Sequence, residues 1–136
     1  MDMNRMTVKL QEALQSASAL AMRRGHQGID VEHLLLALME QEGGIAGSLF
    51  EQAGVSPAAV RQAAEQALTK VAQVHGPGAA PGQIHLTPRL GSLLTKAEDR
   101  MKELRDEFVS VEHIILAMVE EGGIFRRLNL TRERLL

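Results

Sequence analysis

The chain has 136 residues, 45% of them apolar, with 15 basic and 17 acidic side chains, a formal net charge of −2 and no cysteine. That length and apolar content suit one compact domain with a real core, while the slightly acidic balance supplies no electrostatic footprint for a polyanion and disfavours nucleic acid as a partner. Without cysteine, disulfides, thiolate metal sites and Cys nucleophiles are excluded together, and three aromatics (Phe50, Phe108, Phe125) are too few for base-stacking platforms.

The opening MDMNRM lacks an apolar leader, so the cytosol is the expected location and Met1 to Met6 read as a short frayed lead. Thr7 is an N-cap type, and Leu10, Leu14, Ala17 and Ala21 recur at helical spacing. That predicts an amphipathic helix ending near Arg23-Arg24-Gly25, with Gly25 to Gly28 as the turn that follows. In IDVEHLLLALMEQEGG, Ile29 to Gly44, Asp30 caps a second helix. Ile29 and Leu34 stand where a hydrophobic staple would fix its entry angle. Its body is apolar nearly all round, which predicts a helix surrounded by protein, and its length is far below the about 20 residues of a membrane span. Gly43-Gly44 are expected to end it with positive φ. Ile45 to Gln52 predict a short third helix. Ser56-Pro57 open a fourth, with the cap and N1 proline in preferred places.

HGPGAAPGQ, His75 to Gln83, cannot propagate a helix or a strand. After it the chain says the same thing again. Thr87-Pro88 reopen helix, with Leu90, Leu94, Ala97 and Met101 matching the first set, and FVSVEHIILAMVEEGG, Phe108 to Gly123, repeats the second. Val31 and Val111, Glu32 and Glu112, and His33 and His113 all stand at an offset of 80 (111 − 31). Glu42 is the one extra residue before the first Gly-Gly pair. Ile124 to Leu128 replay the third helix, and from Thr131 a last helix has only begun, which suggests that the natural chain continues. A period of this kind marks two copies of one supersecondary unit. The expected fold is therefore all-α: an eight-helix bundle of two four-helix repeats related by pseudo-twofold symmetry. One domain over 1–136 is divided into repeat one at 7–74, a linker at 75–86 and repeat two at 87–136, its last helix truncated.

No phosphate-binding loop, dinucleotide fingerprint, H-E-x-x-H or G-x-S-x-G elbow is present. No enzyme activity is expected of this stretch, nor a resident metal or other cofactor. None of the five His stand at i, i+4; His33 and His113, at the third helical position, are expected to join the first-turn hydrogen bonds. Glu32 and Glu112, at the second position, are favoured by the helix macrodipole without any function. They also suit a cluster with an N-cap hydroxyl, Thr7 with Glu32 and Thr87 with Glu112, able to hold a cationic or phosphorylated arginine side chain. Asp106-Glu107 form either a solvated turn or part of the same groove. Leu10, Leu14, Leu90 and Leu94, near the junction of the repeats, are candidates for a shallow groove that takes exposed apolar segments, or else for core.

The double V-E-H-[LI]-[LI]-L-A motif with its Gly-Gly pair, the M-x-x-x-x-M-T opening and the Gly/Pro linker before L-T-P-R-L resemble the amino-terminal domain of Clp-family AAA+ unfoldases, most of all the ClpB-type disaggregase. The resemblance implies an eight-helix domain, linked to a hexameric ring that uses ATP and Mg, which engages unfolded or aggregated protein and passes it to the pore. It further implies a DnaK-type chaperone system as partner of the rest of the chain. Residues implicated in ClpB-type domains match Thr7, Asp106 and Glu112. In the related ClpC-type domain, which serves a protease-associated unfoldase and its adaptors, phosphoarginine is held at sites matching Thr7 with Glu32 and Thr87 with Glu112. The expected client-contacting set is Thr7, Glu32, Thr87, Leu94, Asp106 and Glu112.

Overall fold

A computed structural model of the chain describes residues 3–71 and 85–128, and these hold seven α-helices with very little strand. The helices for which the sequence offers a cap residue begin where that residue places them. Thr7 accepts from the Leu10 amide at the start of α1 (Val8–Arg23), and Thr87 from the Leu90 amide at the start of α5 (Pro88–Glu103). Asp30 and Ser110 cap α2 (Val31–Glu40) and α6 (Val111–Glu121). α3 (Ala46–Gln52), α4 (Pro57–Leu68, with its proline in the first turn) and α7 (Ile124–Arg127) complete the set. The eighth helix expected from Thr131, and the Gly/Pro linker up to residue 84, lie outside the described residues.

Burial follows the helical periods. Leu34, Leu35, Leu36 and Leu38 of α2 and Ile114, Ile115, Leu116 and Met118 of α6 are all buried, as expected of helices surrounded by protein. α1 packs on α2 and α5 on α6, while α4 lies across α2 and touches α7. The copies share one core rather than two. At its centre the Phe50 and Phe125 rings stack with centroids 5.6 Å apart, both essentially buried, and so tie α3 of one copy to α7 of the other.

Three expectations need correction. The described part of the lead, residues 3–6, is not frayed: Met3–Arg5 form a 3-10 turn, Met6 is buried, and this segment pairs with the chain before α6. Its backbone hydrogen bonds run from the Val109 amide to the Arg5 carbonyl (2.6 Å) and from the Thr7 amide to the Val109 carbonyl (3.0 Å). Likewise the end of the linker is structured, because β2 (His85–Leu86) pairs in parallel with β1 (Gly28–Ile29). The Thr87 amide donates to the Ile29 carbonyl there (3.1 Å), the same contact as Thr7 makes with Val109. Finally, the Gly-Gly pairs are not equivalent caps. Gly122 takes the C-cap of α6 with φ +97°, whereas α2 already ends at Gln41 in an extended conformation, and Gly43 (φ +69°) turns the loop that Glu42 lengthens.

Phe125→Ala should cost about 3–5 kcal/mol, because it empties the place of a buried ring that bridges the two copies. Urea unfolding at neutral pH measures it; a loss under about 1 kcal/mol would mean that the two copies do not depend on this contact.

Candidate functional site

The cross-pairing of backbone puts the start of each copy's first helix beside the capped start of the other copy's second helix. Two junctions of one design result. One holds Thr7 with Ser110 and Glu112, the other Thr87 with Asp30 and Glu32. The hydroxyl and carboxylate partners are therefore crossed relative to the sequence expectation: Thr7 goes with Glu112 and Thr87 with Glu32.

The Thr87 junction is full. Thr87 Oγ1 donates to Asp30 Oδ1 (3.0 Å), and the Arg89 guanidinium lies among three carboxylates. Nη1 donates to Glu32 Oε1 (2.7 Å) and is 3.6 Å from Asp30 Oδ1; Nη2 and Nε both reach Glu121 Oε1, at 2.6 and 3.0 Å. Burial opposes the charge on Arg89, but its hydrogen bonds to Glu32 and Glu121 outweigh that and raise its pKa. Glu32 is 6% exposed, so its carboxylate depends on that guanidinium for compensation. A Cβ on Gly123 would come 3.0 Å from Arg89 Nη2, which gives the second Gly-Gly pair a local reason beyond its φ of +51°.

The Thr7 junction is open. Thr7, Lys9, Gln41, Gly43, Gly44, Ile45, Ser110 and Glu112 border a depression of about 210 Å³. The residues that fill the other junction have been exchanged here. At the offset of 80 (89 − 9), Lys9 stands for Arg89, Gln41 for Glu121 and Ser110 for Asp30. Gln41 Nε2 donates to the Lys9 carbonyl, and Lys9 Nζ donates to the carbonyl of the extra residue Glu42 (2.9 Å). Glu112 is exposed and has no ion-pair partner among the described residues. It also borders a second depression of about 180 Å³ with Leu49, Leu104, Asp106 and Leu116. Asp106 is thus near Glu112, but it accepts from His113 Nε2 (2.8 Å) and so holds the imidazole that caps α6.

A third concavity of about 310 Å³, mostly apolar, lies between α1 and α5 and is lined by Met6, Leu14, Ile29, Leu86 and Leu94 among others. The expected groove exists with a changed lining: Leu10 and Leu90 are fully buried core and leave it, Leu94 keeps one edge at 3% exposure, and Leu86 is 44% exposed. The pairing of β1 with β2 brings Ile29 and Leu86 into it, a contact no local pattern announces. Sequence reasoning also missed Lys9, Gln41, Arg89 and Glu121, although aligning the copies at their offset brings these residues out. Among the described residues no cluster of three or more His, Asp or Glu could hold a metal ion, and no helix is long and apolar enough to cross a membrane.

The Clp repeat (R) N-terminal domain family matches residues 5–129. The chaperone protein ClpB of Nitratidesulfovibrio vulgaris is 45% identical over 142 residues, which cover 100% of this chain and 16% of the chaperone. The chain thus spans 16% of the length of such curated relatives. Among solved structures, the Hsp104 N-terminal domain from Candida albicans superposes with a TM-score of 0.80 at 20% identity, covering 96% of this chain and 85% of that one. A complex of the ClpV N-domain with a VipB peptide superposes with a TM-score of 0.79 at 21% identity, covering 97% and 82%. At those identities the likeness is one of fold.

The imidazoles of His33 and His26 both resist protonation. His33 Nδ1 accepts from the Asp30 amide (2.9 Å), so its proton sits on Nε2 and is donated to His26 Nδ1 (2.8 Å). His26 then carries its own proton on Nε2, buried and without an acceptor among the described residues. Burial first, and then the neighbouring His26, lower the His33 pKa to about 4; burial and the charge of Arg24 lower that of His26. A depressed folded-state pKa means that below the unfolded value of about 6.5 the unfolded chain takes up protons that the folded chain refuses. Stability should fall by about 2 kcal/mol from pH 7 to pH 5 through His33. His26→Asp, which copies the Asp106–His113 pair of the other repeat, should flatten that dependence in urea unfolding, and equal slopes for the two proteins would refute it.

Proposed function

Because the chain belongs to the Clp N-terminal domain family, we propose that it is the accessory, substrate-engaging domain of an ATP-dependent disaggregase or unfoldase of the ClpB type. It takes unfolded or aggregated protein and passes it to an AAA+ ring formed by the rest of the chain, with a DnaK-type system acting on that remainder. In this reading residues from Thr131 begin an eighth helix that completes a pseudo-twofold unit over 1–136. The stretch itself hydrolyses no ATP, and ATP and Mg belong to the ring.

The observation that carries the proposal is the apolar groove between α1 and α5, with exposed Leu86 on its rim and Leu14 and Leu94 inside. Apolar side chains of a client gain about 25 cal/mol for each Å² they bury there. A groove of this size gives weak binding, which suits a domain that must let its client go, and several copies in a ring would restore affinity through avidity. Glu112, exposed and without an ion-pair partner among the described residues, adds a cation-accepting point beside Thr7.

A second reading is favoured by the charge pattern of the Thr7 junction, where the Lys9 ammonium and the Glu112 carboxylate border one depression near two helix starts. That set also complements a group carrying both signs, such as a phosphorylated arginine on a client or adaptor.

Titration of the labelled domain with a permanently unfolded, carboxymethylated protein should shift amide resonances at Leu14, Leu86, Leu94, Thr7 and Glu112. Leu86→Glu, at an exposed position, should weaken binding about tenfold, or 1.4 kcal/mol, with the fold intact. Unchanged resonances at those residues would sink the client reading. Saturable binding of free phosphoarginine that Glu112→Ala abolishes would favour the second.

A further inference from the structure

We propose that the His26–His33 imidazole pair is an acid-released latch: an added proton breaks one end of a strut that holds residues 26–30 against β2, and so opens the wall of the apolar groove. That the groove then lets its occupant go rests on the client reading above; the release of the strand does not.

His33, in the first turn of α2, is bonded to both ends of the segment that carries β1. Its Nδ1 accepts from the Asp30 amide (2.9 Å), and its Nε2–H donates to His26 Nδ1 (2.8 Å). Gly25, with φ +73°, joins this segment to α1. Between the two ends the Gln27 carbonyl accepts from the His85 amide (3.3 Å) and the Ile29 carbonyl from the Thr87 amide (3.1 Å). Those bonds set Ile29 beside Leu86 in the wall of the groove.

The pair has no lone pair to spare. Both rings are buried, and in each Nδ1 accepts a hydrogen bond while Nε2 carries the hydrogen. A proton added to His26 Nδ1 meets the His33 N–H head-on, and one added to His33 Nδ1 meets the Asp30 N–H. A tautomer shift of His33 only moves the conflict from one end to the other. Protonation therefore breaks the bond to His26 or the bond to the Asp30 amide, and it leaves a cation out of water.

The charges around the pair do not relieve that conflict. Arg24, at the end of α1, repels a second cation, and its own partner is Glu65 of α4 (2.5 and 2.8 Å). Asp30 attracts one, but its carboxylate is already engaged by Thr87, by the Val31 amide and by Arg89. The His33 pKa of about 4 expresses this balance, with burial as its largest cause. An imidazole freed into water returns to about 6.5. Each pH unit below that value therefore favours the released segment over the latched one by up to about tenfold, until the pH nears the latched value.

Hydrogen exchange reads the latch without any client. From pH 7 to pH 5, protection of the His85 and Thr87 amides in the wild type, corrected for the intrinsic rate, should fall at least about tenfold. That of the Thr7 amide, bonded to Val109, should hold. The double variant His26→Gln/His33→Gln removes both bases and keeps a side-chain amide at each position; it should show no such fall. His85, exposed on β2, is common to both proteins, so its charge cancels in the comparison. If the double variant does not fold, His26→Asp replaces it and should show a smaller fall than the wild type. Unchanged protection in the wild type, equal falls in wild type and variant, or a fall that Thr7 shares in full would overturn the proposal. Over the same range, binding of the carboxymethylated unfolded protein should weaken about tenfold more in the wild type than in the variant; equal weakening would overturn the coupling to the groove. Absence of binding at pH 7 would overturn the client reading and leave the exchange result to decide the latch.

Discussion

Two reciprocal backbone contacts set the geometry of this molecule: the Thr7 amide on the Val109 carbonyl and the Thr87 amide on the Ile29 carbonyl. In each, the residue that caps one copy's first helix is tied to the strand-like residues just before the other copy's second helix. Two orphan helix starts are thereby brought together, and their unsatisfied amides, cap hydroxyls and first-turn carboxylates concentrate at one place per junction. The apolar groove depends on the same contacts. It lies between α1 and α5, with Ile29 and Leu86 held side by side in its wall by the short β pairing. Polar junctions and apolar groove are consequences of one crossing.

Most of the helical scaffold could be read from local chemistry because each signal is satisfied within a turn of its own residue. Thr7, Thr87 and Asp30 accept from amides of their own first turns, Pro57 and Pro88 stand in first turns, and the imidazoles of His33 and His113 accept from the N-cap amides. The crossing could not be read in that way. Nothing in the period of an apolar helix states whether its partner is its own copy or the other, so the sequence pairs Thr7 with the carboxylate of its own repeat, Glu32, whereas the fold brings it to Glu112. Two-residue strands such as Gly28–Ile29 and His85–Leu86 are too short for alternation to show. Helical spacing marks Leu10 and Leu90 as inward-facing without telling a core from a cleft, and the fold makes both core.

What the repeat did make legible is divergence. With the backbone design held in common, four exchanges distinguish the junctions and caps of the two copies: Arg89 for Lys9, Glu121 for Gln41, Asp106 for His26, and Ser110 for Asp30. The first two fill one junction and leave the other open. The third changes what satisfies the capping imidazole: an exposed carboxylate for His113, a buried second imidazole for His33. A chain that needed two identical sites would have no reason to differ at these positions together.

The physics of burial explains why the filled junction cannot be emptied without consequence while the open one can stand. Glu32 is out of water, and a buried carboxylate stripped of its cation costs several kcal/mol, so Arg89 closes the junction and also stabilises it. Glu112 keeps its hydration and needs no partner. For the same reason it can give little to a visitor: an exposed ion pair contributes about 0–1 kcal/mol. A cationic side chain arriving there adds selectivity to a contact whose strength must come from apolar surface. The nearby groove of Met6, Leu14, Leu86 and Leu94 is the part of the molecule that supplies it. Strong holding would require Glu112 to be desolvated around its ligand as Glu32 is around Arg89. The exchange of Gln41 for the second carboxylate and of Lys9 for the forked cation removes the partners that would make such desolvation tolerable.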